Sequence, residues 1–259
     1  MNIQGRDCTL TVARDGTFIP LPYSEETVRQ TSKGYSLPCV IGKRNRDKFI
    51  LSKKAVTGCF VTRLDYNCVE QLFLLLFYDN ELYDIYTDRV YEKAVYKNLT
   101  FKSFELRATN GDAFKFHLDV KETENTYIEN WPVNLPALPW ISNRTYIYDG
   151  HTVTADNKRL PLIYRFELTA DYSENAKYRL KLYFPLKKEF YPGTKKIEKL
   201  SIVLDILDGV SLDFYDLIPL DDLCDINCAD TVLCNQTFNV SSHIVFNIRN
   251  QDKKLEVVL

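Results

Sequence analysis

The residues with most chemistry in this 259-residue chain are three histidines, seven cysteines and an aspartate-rich tract. His117 alternates with apolar residues in a strand-like run, which places it on a polar strand face, as a solvated imidazole rather than a general base. His151 follows a tight-turn signal and His243 opens a strand, and neither has a nucleophile beside it. The phosphate-cradling patterns G-x-x-x-x-G-K-[ST] and G-x-G-x-x-G do not occur, nor do H-E-x-x-H and G-x-S-x-G. No catalytic set, cofactor or metal site is expected.

The cysteines fall into two groups. Cys8, Cys39, Cys59 and Cys68 are scattered and read as buried thiols acting as small hydrophobes; Cys59 lies in an apolar run. Cys224, Cys228 and Cys234 are denser, but x3 and x5 spacing without a nearby fourth ligand does not match a zinc pattern. The sequons at Asn98, Asn143, Asn235 and Asn239 read as chance matches, since the first seven residues hold no apolar signal core.

Two charged regions oppose each other. Residues 43–54, KRNRDKFILSKK, carry six basic residues and one acidic, and read as a long exposed loop or hairpin. Residues 200–248 contain eight aspartates and no lysine or arginine. Such segments can pair between copies of one chain and set their register. The whole chain has 33 basic and 35 acidic side chains, so it lacks the basic excess of a nucleic-acid wrapper. Its longest apolar run, Leu72 to Tyr78, is far short of the roughly 20 residues a membrane helix needs. The expectation is a soluble, intracellular protein.

The elements that must position these residues are mostly strands. Seventeen tyrosines and fifteen phenylalanines against nine glycines favour β structure. Thr9–Ala13 opens a strand closed by Asp15-Gly16, and Ala55–Tyr66 is another. Phe104, Leu106 and Ala108 alternate on one arm of a hairpin, with Phe114, Phe116, Leu118 and Val120 on the other and Asn110-Gly111 turning between them. Their opposite face carries Glu105, Arg107, Lys115, His117 and Asp119. A small hairpin is expected around Asp149-Gly150, a long one over Ile163–Phe184, a strand over Leu200–Ile206 and a last hairpin over His243–Leu259. Phe104–Ala108 echoes Phe166–Ala170, a weak internal repeat. One helix is expected, capped by Asn67 with Glu70 and burying Val69, Leu72, Phe73 and Leu76. The proline-rich segment 131–140 reads as an ordered connection.

This order of features resembles that of tailed-bacteriophage tail tube proteins. In that family an exposed stacking loop precedes a strand, and a small-residue turn and a short amphipathic helix follow; the matching stretch is AVTGCFVTRLDYNCVEQLFLLLF at 55–77. The hairpin at 103–120 and the region 163–207 extend the likeness to about 150 residues. The resemblance implies a β-sandwich or split β-barrel with long hairpins and one short flanking α-helix. Residues 1–259 would form a single tail-tube-like domain, with insertions or decorations at 121–160 and 208–242.

It also implies a structural virion protein of the phage tail, assembled in the bacterial host cytoplasm. Subunits would join into hexameric rings, or into trimers if the chain is a fused duplicate. The rings would stack into a hollow tube conducting DNA, which passes without sequence-specific binding. Partners would be the chain itself and the baseplate or initiator, terminator and tape measure proteins. The inter-ring contact loop would use Lys43, Arg44, Arg46, Lys48, Lys53 and Lys54. Its acidic counterpart would be Asp208, Asp213, Asp216, Asp221 and Asp222. Glu105, Lys115, His117 and Asp119 are candidates to face the lumen, which should be acidic or neutral so that DNA does not stick. The alternatives are a terminator, distal tail or baseplate hub protein of similar fold, or an all-β carbohydrate- or receptor-binding module using Trp131 and Trp140.

Overall fold

The computed structural model describes residues 9–41, 44–64, 69, 72–73, 82–89, 92–129, 131, 145–172, 177–185, 195–205, 209–220, 225–228, 232–248 and 253–258. The protein is mainly β. Strands β1 (Thr9–Arg14) and β2 (Thr17–Leu21) form a hairpin turned by Asp15 and Gly16, whose φ values of 48° and 77° suit Asp and Gly. β3 (Tyr23–Glu26) leads into β4 (Arg29–Ile41) and β5 (Arg44–Arg63). β6 (Tyr83–Asp88), β7 (Lys93–Thr109) and β8 (Lys115–Glu129) follow. Beyond a 3-10 turn at Gly150–Thr152 come β9 (Thr154–Ala155), β10 (Lys158–Arg159), β11 (Arg165–Asp171) and β12 (Lys177–Pro185). β13 (Ile197–Asp205), β14 (Val210–Pro219), β15 (Asp225–Cys228), β16 (Val232–Val240), β17 (His243–Ile248) and β18 (Lys253–Val258) complete the chain order.

Among the described residues, all the strands join one antiparallel sheet that does not close on itself. Its middle runs β5–β8–β7–β11–β12–β16. The two echoing fragments are direct neighbours in it. Leu106 faces Leu168, Phe104 faces Ala170 and Ala108 faces Phe166. Outward from that pair the arrangement is locally two-fold: β8 and β12 flank it, then β5 and β16. One face of these six strands builds the core with Phe60, Phe116, Leu106, Leu168, Leu180 and Phe238, all buried. Each such side chain contributes roughly 1.5–3 kcal/mol.

Val69, Leu72 and Phe73 have helical backbone and are buried, and Phe73 stacks on Phe246 with ring centroids 4.2 Å apart and meets the edge of Phe116. The rest of the helix expected there, Leu76 included, lies outside the described residues. Among the described residues no helix has seven or more residues. None is long and apolar enough to cross a membrane.

One expectation changes. Asp149-Gly150 does not turn a hairpin: the Asp149 carboxylate accepts from His151 N at 2.9 Å and starts the 3-10 turn, while the hairpin β9–β10 turns at Asp156-Asn157, with φ of 48° and 63°. A Cβ on Gly150 would lie 2.1 Å from the Ile163 carbonyl oxygen, so this glycine serves a close backbone approach instead. Within 208–242, β14 and β16 put Leu212, Phe214, Leu217 and Phe238 into the core, and β16 pairs with β12. Within 121–160, Tyr148 and Val153 are fully buried.

Candidate functional site

Alternation along the six central strands sends every second side chain to a polar face opposite the core. The register fixes which of them stand side by side. One row reads Arg63, Lys115, Arg107, Glu167, Lys181 and Thr237, four basic residues against one acidic. The next reads Val61, His117, Glu105, Thr169, Arg179 and Asn239. The third reads Cys59, Asp119, Ser103, Asp171 and Lys177. The face therefore grades from basic to weakly acidic. The four lumen candidates Glu105, Lys115, His117 and Asp119 do share it, but Lys115 sits in the basic row. A hollow of about 520 Å³ opens in the two less basic rows, between Glu105, His117 and Asp119 on one side and Asp171, Lys177 and Arg179 on the other.

Cys59 belongs to this face rather than to the core, correcting its reading as a buried hydrophobe. Thr62 and Phe60 take the inward positions of β5, and Cys59 is half-buried opposite Asp119. Its position is clamped by Thr27, whose N–H donates to the Cys59 carbonyl (2.9 Å) and whose Oγ1 accepts from Cys59 N (3.0 Å). That clamp needs Gly58, at φ 146°, because a Cβ there would meet the Thr27 carbonyl oxygen at 2.5 Å. His117 Nε2 is shielded from solvent and makes no hydrogen bond among the described residues; Asp119 Oδ1 lies 3.4 Å from it. Ser103 Oγ donates to the other oxygen, Asp119 Oδ2, at 2.6 Å.

A cluster on β11 and β12 was not read as a site. The Tyr183 phenol donates to Glu167 at 3.0 Å, Arg165 pairs with Glu167, and the Arg165 and Lys181 cations lie 5.4 and 5.2 Å from the Tyr183 ring centre. Burial first, then the bond to Glu167 and its charge, pushes the Tyr183 phenol up to about 12. The polar alternation of 165–183 is the signal that could have found it.

The basic segment forms an arm. Arg44, Arg46, Lys48, Lys53 and Lys54 all fall in β5, whose pairing with β4 runs from Arg29↔Thr57 to Ile41↔Arg44. Lys43 lies outside the described residues. β3 and β8 border β5 only from Thr57 onward. Beyond that point, among the described residues, β5 pairs with β4 alone. The eleven residue pairs beyond Thr57, at roughly 3.3 Å each, give this two-stranded arm a reach of about 36 Å.

The proposed acidic partner set is reduced. Asp213 is buried and already engaged by Lys199 Nζ (2.8 Å), Asn247 Nδ2 (3.0 Å) and Ser201. It is therefore not available to a second chain. Asp216 pairs with Lys196, which holds its carboxyl below the usual range. Asp208, Asp221 and Asp222 lie outside the described residues. Trp131 is half-buried, set edge-on to Tyr86 with Lys93 Nζ 5.3 Å from its ring centre, and packs against a small cluster with Ala13 and Val95. Trp140 lies outside the described residues. A scan against protein-family models and a search of curated proteins find no match for this chain.

Proposed function

We propose that this chain is a structural, non-enzymatic subunit that assembles with copies of itself into stacked rings, forming a hollow tail tube of the tailed-phage type, in the virion tail. The observation that carries the reading is the basic β4–β5 arm. A two-stranded hairpin is marginally stable alone in water, and this one leaves the body of the sheet with no other strand beside it among the described residues. Docking on a neighbouring ring gives it the partner it lacks. The open sheet supplies lateral contacts, since unpaired edges must be paired, covered or closed.

In this reading the subunit is a β-sandwich or split barrel, and the rows of His117 and Asp119 suit a DNA-conducting wall better than the row of Arg63 and Lys115. Tape measure, terminator and baseplate or initiator proteins are the other partners. The carbohydrate-binding alternative loses weight because Trp131 is occupied by packing.

Negative-stain electron microscopy with light scattering on the purified protein tests the proposal. Hollow tubes or stacking rings are expected. Single rings that never stack favour a terminator, distal tail or baseplate hub role. A monodisperse monomer at high concentration overturns the assembly reading.

A further inference from the structure

We infer that Cys59, His117 and Asp119 form a binding site for a zinc-class divalent metal ion, independently of how the chain assembles. The thiol, the imidazole nitrogen and the carboxylate offer ligand atoms that all lie within 4.8 Å of one another. Strand geometry produces the set. His117 and Asp119 are two apart on β8 and so share a face, while Cys59 faces Asp119 across the β5–β8 pair. The sequence distance, 58 and 60 residues from the cysteine, hides it from any spacing pattern.

Chemistry selects the ion. Sulfur and imidazole ligands suit zinc and exclude magnesium and calcium, which take oxygen. A tetrahedral zinc with bonds of about 2.0–2.3 Å holds its ligand atoms roughly 3.3–3.8 Å apart. The 3.4 Å between His117 Nε2 and Asp119 Oδ1 already fits, and the set as a whole, the cysteine sulfur included, lies within 4.8 Å. The supporting contacts also fit. His117 Nε2 is shielded from water and spends itself on no hydrogen bond among the described residues. Ser103 holds Asp119 Oδ2, leaving Oδ1 turned to the histidine. Thr27 Oγ1, 3.5 Å from Cys59 Sγ, can donate to a thiolate. Binding releases the Cys59 thiol proton and leaves a fourth tetrahedral position for water. The ion ties β5 to β8 one residue from Gly58, at the root of the basic arm.

Cobalt(II) is the probe, added to the full chain under a thiol-free reductant. The expected result is one Co²⁺ per chain with a sulfur-to-cobalt charge-transfer band that Zn²⁺ displaces. The band is lost in Cys59→Ser, and Co²⁺ affinity falls at least tenfold in His117→Gln and Asp119→Asn, with unchanged far-ultraviolet circular dichroism. Zinc should raise the melting temperature of the native chain and not of these variants. Because His117 is partly exposed, His117→Gln decides the matter if Cys59→Ser fails to fold. Absence of the band in the native chain overturns the site, as does a band of native strength and affinity in His117→Gln; the same band in Cys59→Ser overturns it and assigns the cobalt to the other six cysteines.

Discussion

Arg89 holds Glu26 by both nitrogens of one edge, Nε to Oε2 and Nη2 to Oε1, each at 2.8 Å, and the Glu26 side chain is only 3% exposed. The same carboxylate accepts from Val28 N, and the same guanidinium donates to the Val28 carbonyl. The bond to Glu26 raises the Arg89 pKa above its ordinary value despite partial burial. The pair thus fixes the chain where β3 passes into β4. Arg89→Ala leaves a buried carboxylate without its cation, and such losses cost about 3–5 kcal/mol. Urea unfolding of that variant should show a decrease of this size; a change under 1 kcal/mol would mean that the carboxylate is solvated.

Gly58 and Gly16 make a controlled comparison. Both have positive φ, but a Cβ on Gly16 meets nothing within 4 Å, whereas one on Gly58 collides with Thr27 and Val28 backbone. Gly16→Ala should cost about 1–2 kcal/mol from the left-handed backbone alone. Gly58→Ala should cost at least about 3 kcal/mol, adding strain to displacement of the β3–β4 connection. Equal losses in thermal unfolding would contradict the close approach.

Charge reversal of the arm separates assembly from folding. Lys43→Glu, Arg44→Glu, Arg46→Glu and Lys48→Glu together should abolish stacked assemblies in electron micrographs while leaving the circular dichroism spectrum of the monomer intact. Native assemblies should also weaken with added salt, since exposed charges are screened beyond roughly 8–10 Å at 0.1–0.15 M. Tubes formed normally by the variant would remove the arm from the contact.

Tyr183 supplies a pH signature. Its phenol is raised from an ordinary value of about 10 to about 12. The folded state therefore favours the neutral phenol. The stabilisation is complete below pH of about 10 and disappears as pH rises through about 12. Ultraviolet titration of the native chain minus Tyr183→Phe should show one phenolate step near pH 12. A step near 10 would show that the phenol does not donate to Glu167.

The hairpins β7–β8 and β11–β12 were legible because apolar and polar residues alternate along them. β14 was not, although Val210, Ser211, Leu212, Asp213 and Phe214 alternate apolar and polar; all five are buried, so this strand is covered on both faces and its polar residues read as solvent-facing. Its aspartate read as surface charge, whereas Lys199, Ser201 and Asn247 enclose it. The β9–β10 turn was missed because Asp156-Asn157 contains no glycine, although Asp and Asn tolerate the left-handed region. The polar face could be anticipated residue by residue. Its rows could not, since they exist only once register joins β5 to β8 and β7 to β11. That is also why Cys59 was assigned to the core.

The pairing of Leu106 with Leu168 has a consequence during synthesis. At about 5–20 residues per second, the ribosome delivers the second fragment roughly 3–12 seconds after the first. During that interval the 103–109 edge of β7 has no β11 to close it, and Phe104, Leu106 and Ala108 lack much of their cover. Phe73 waits longer still, because its stacking partner Phe246 belongs to the penultimate strand. The nascent chain therefore carries sticky, half-built sheet for most of its translation, and its dependence on chaperones should be set by that delay rather than by the stability of the finished fold.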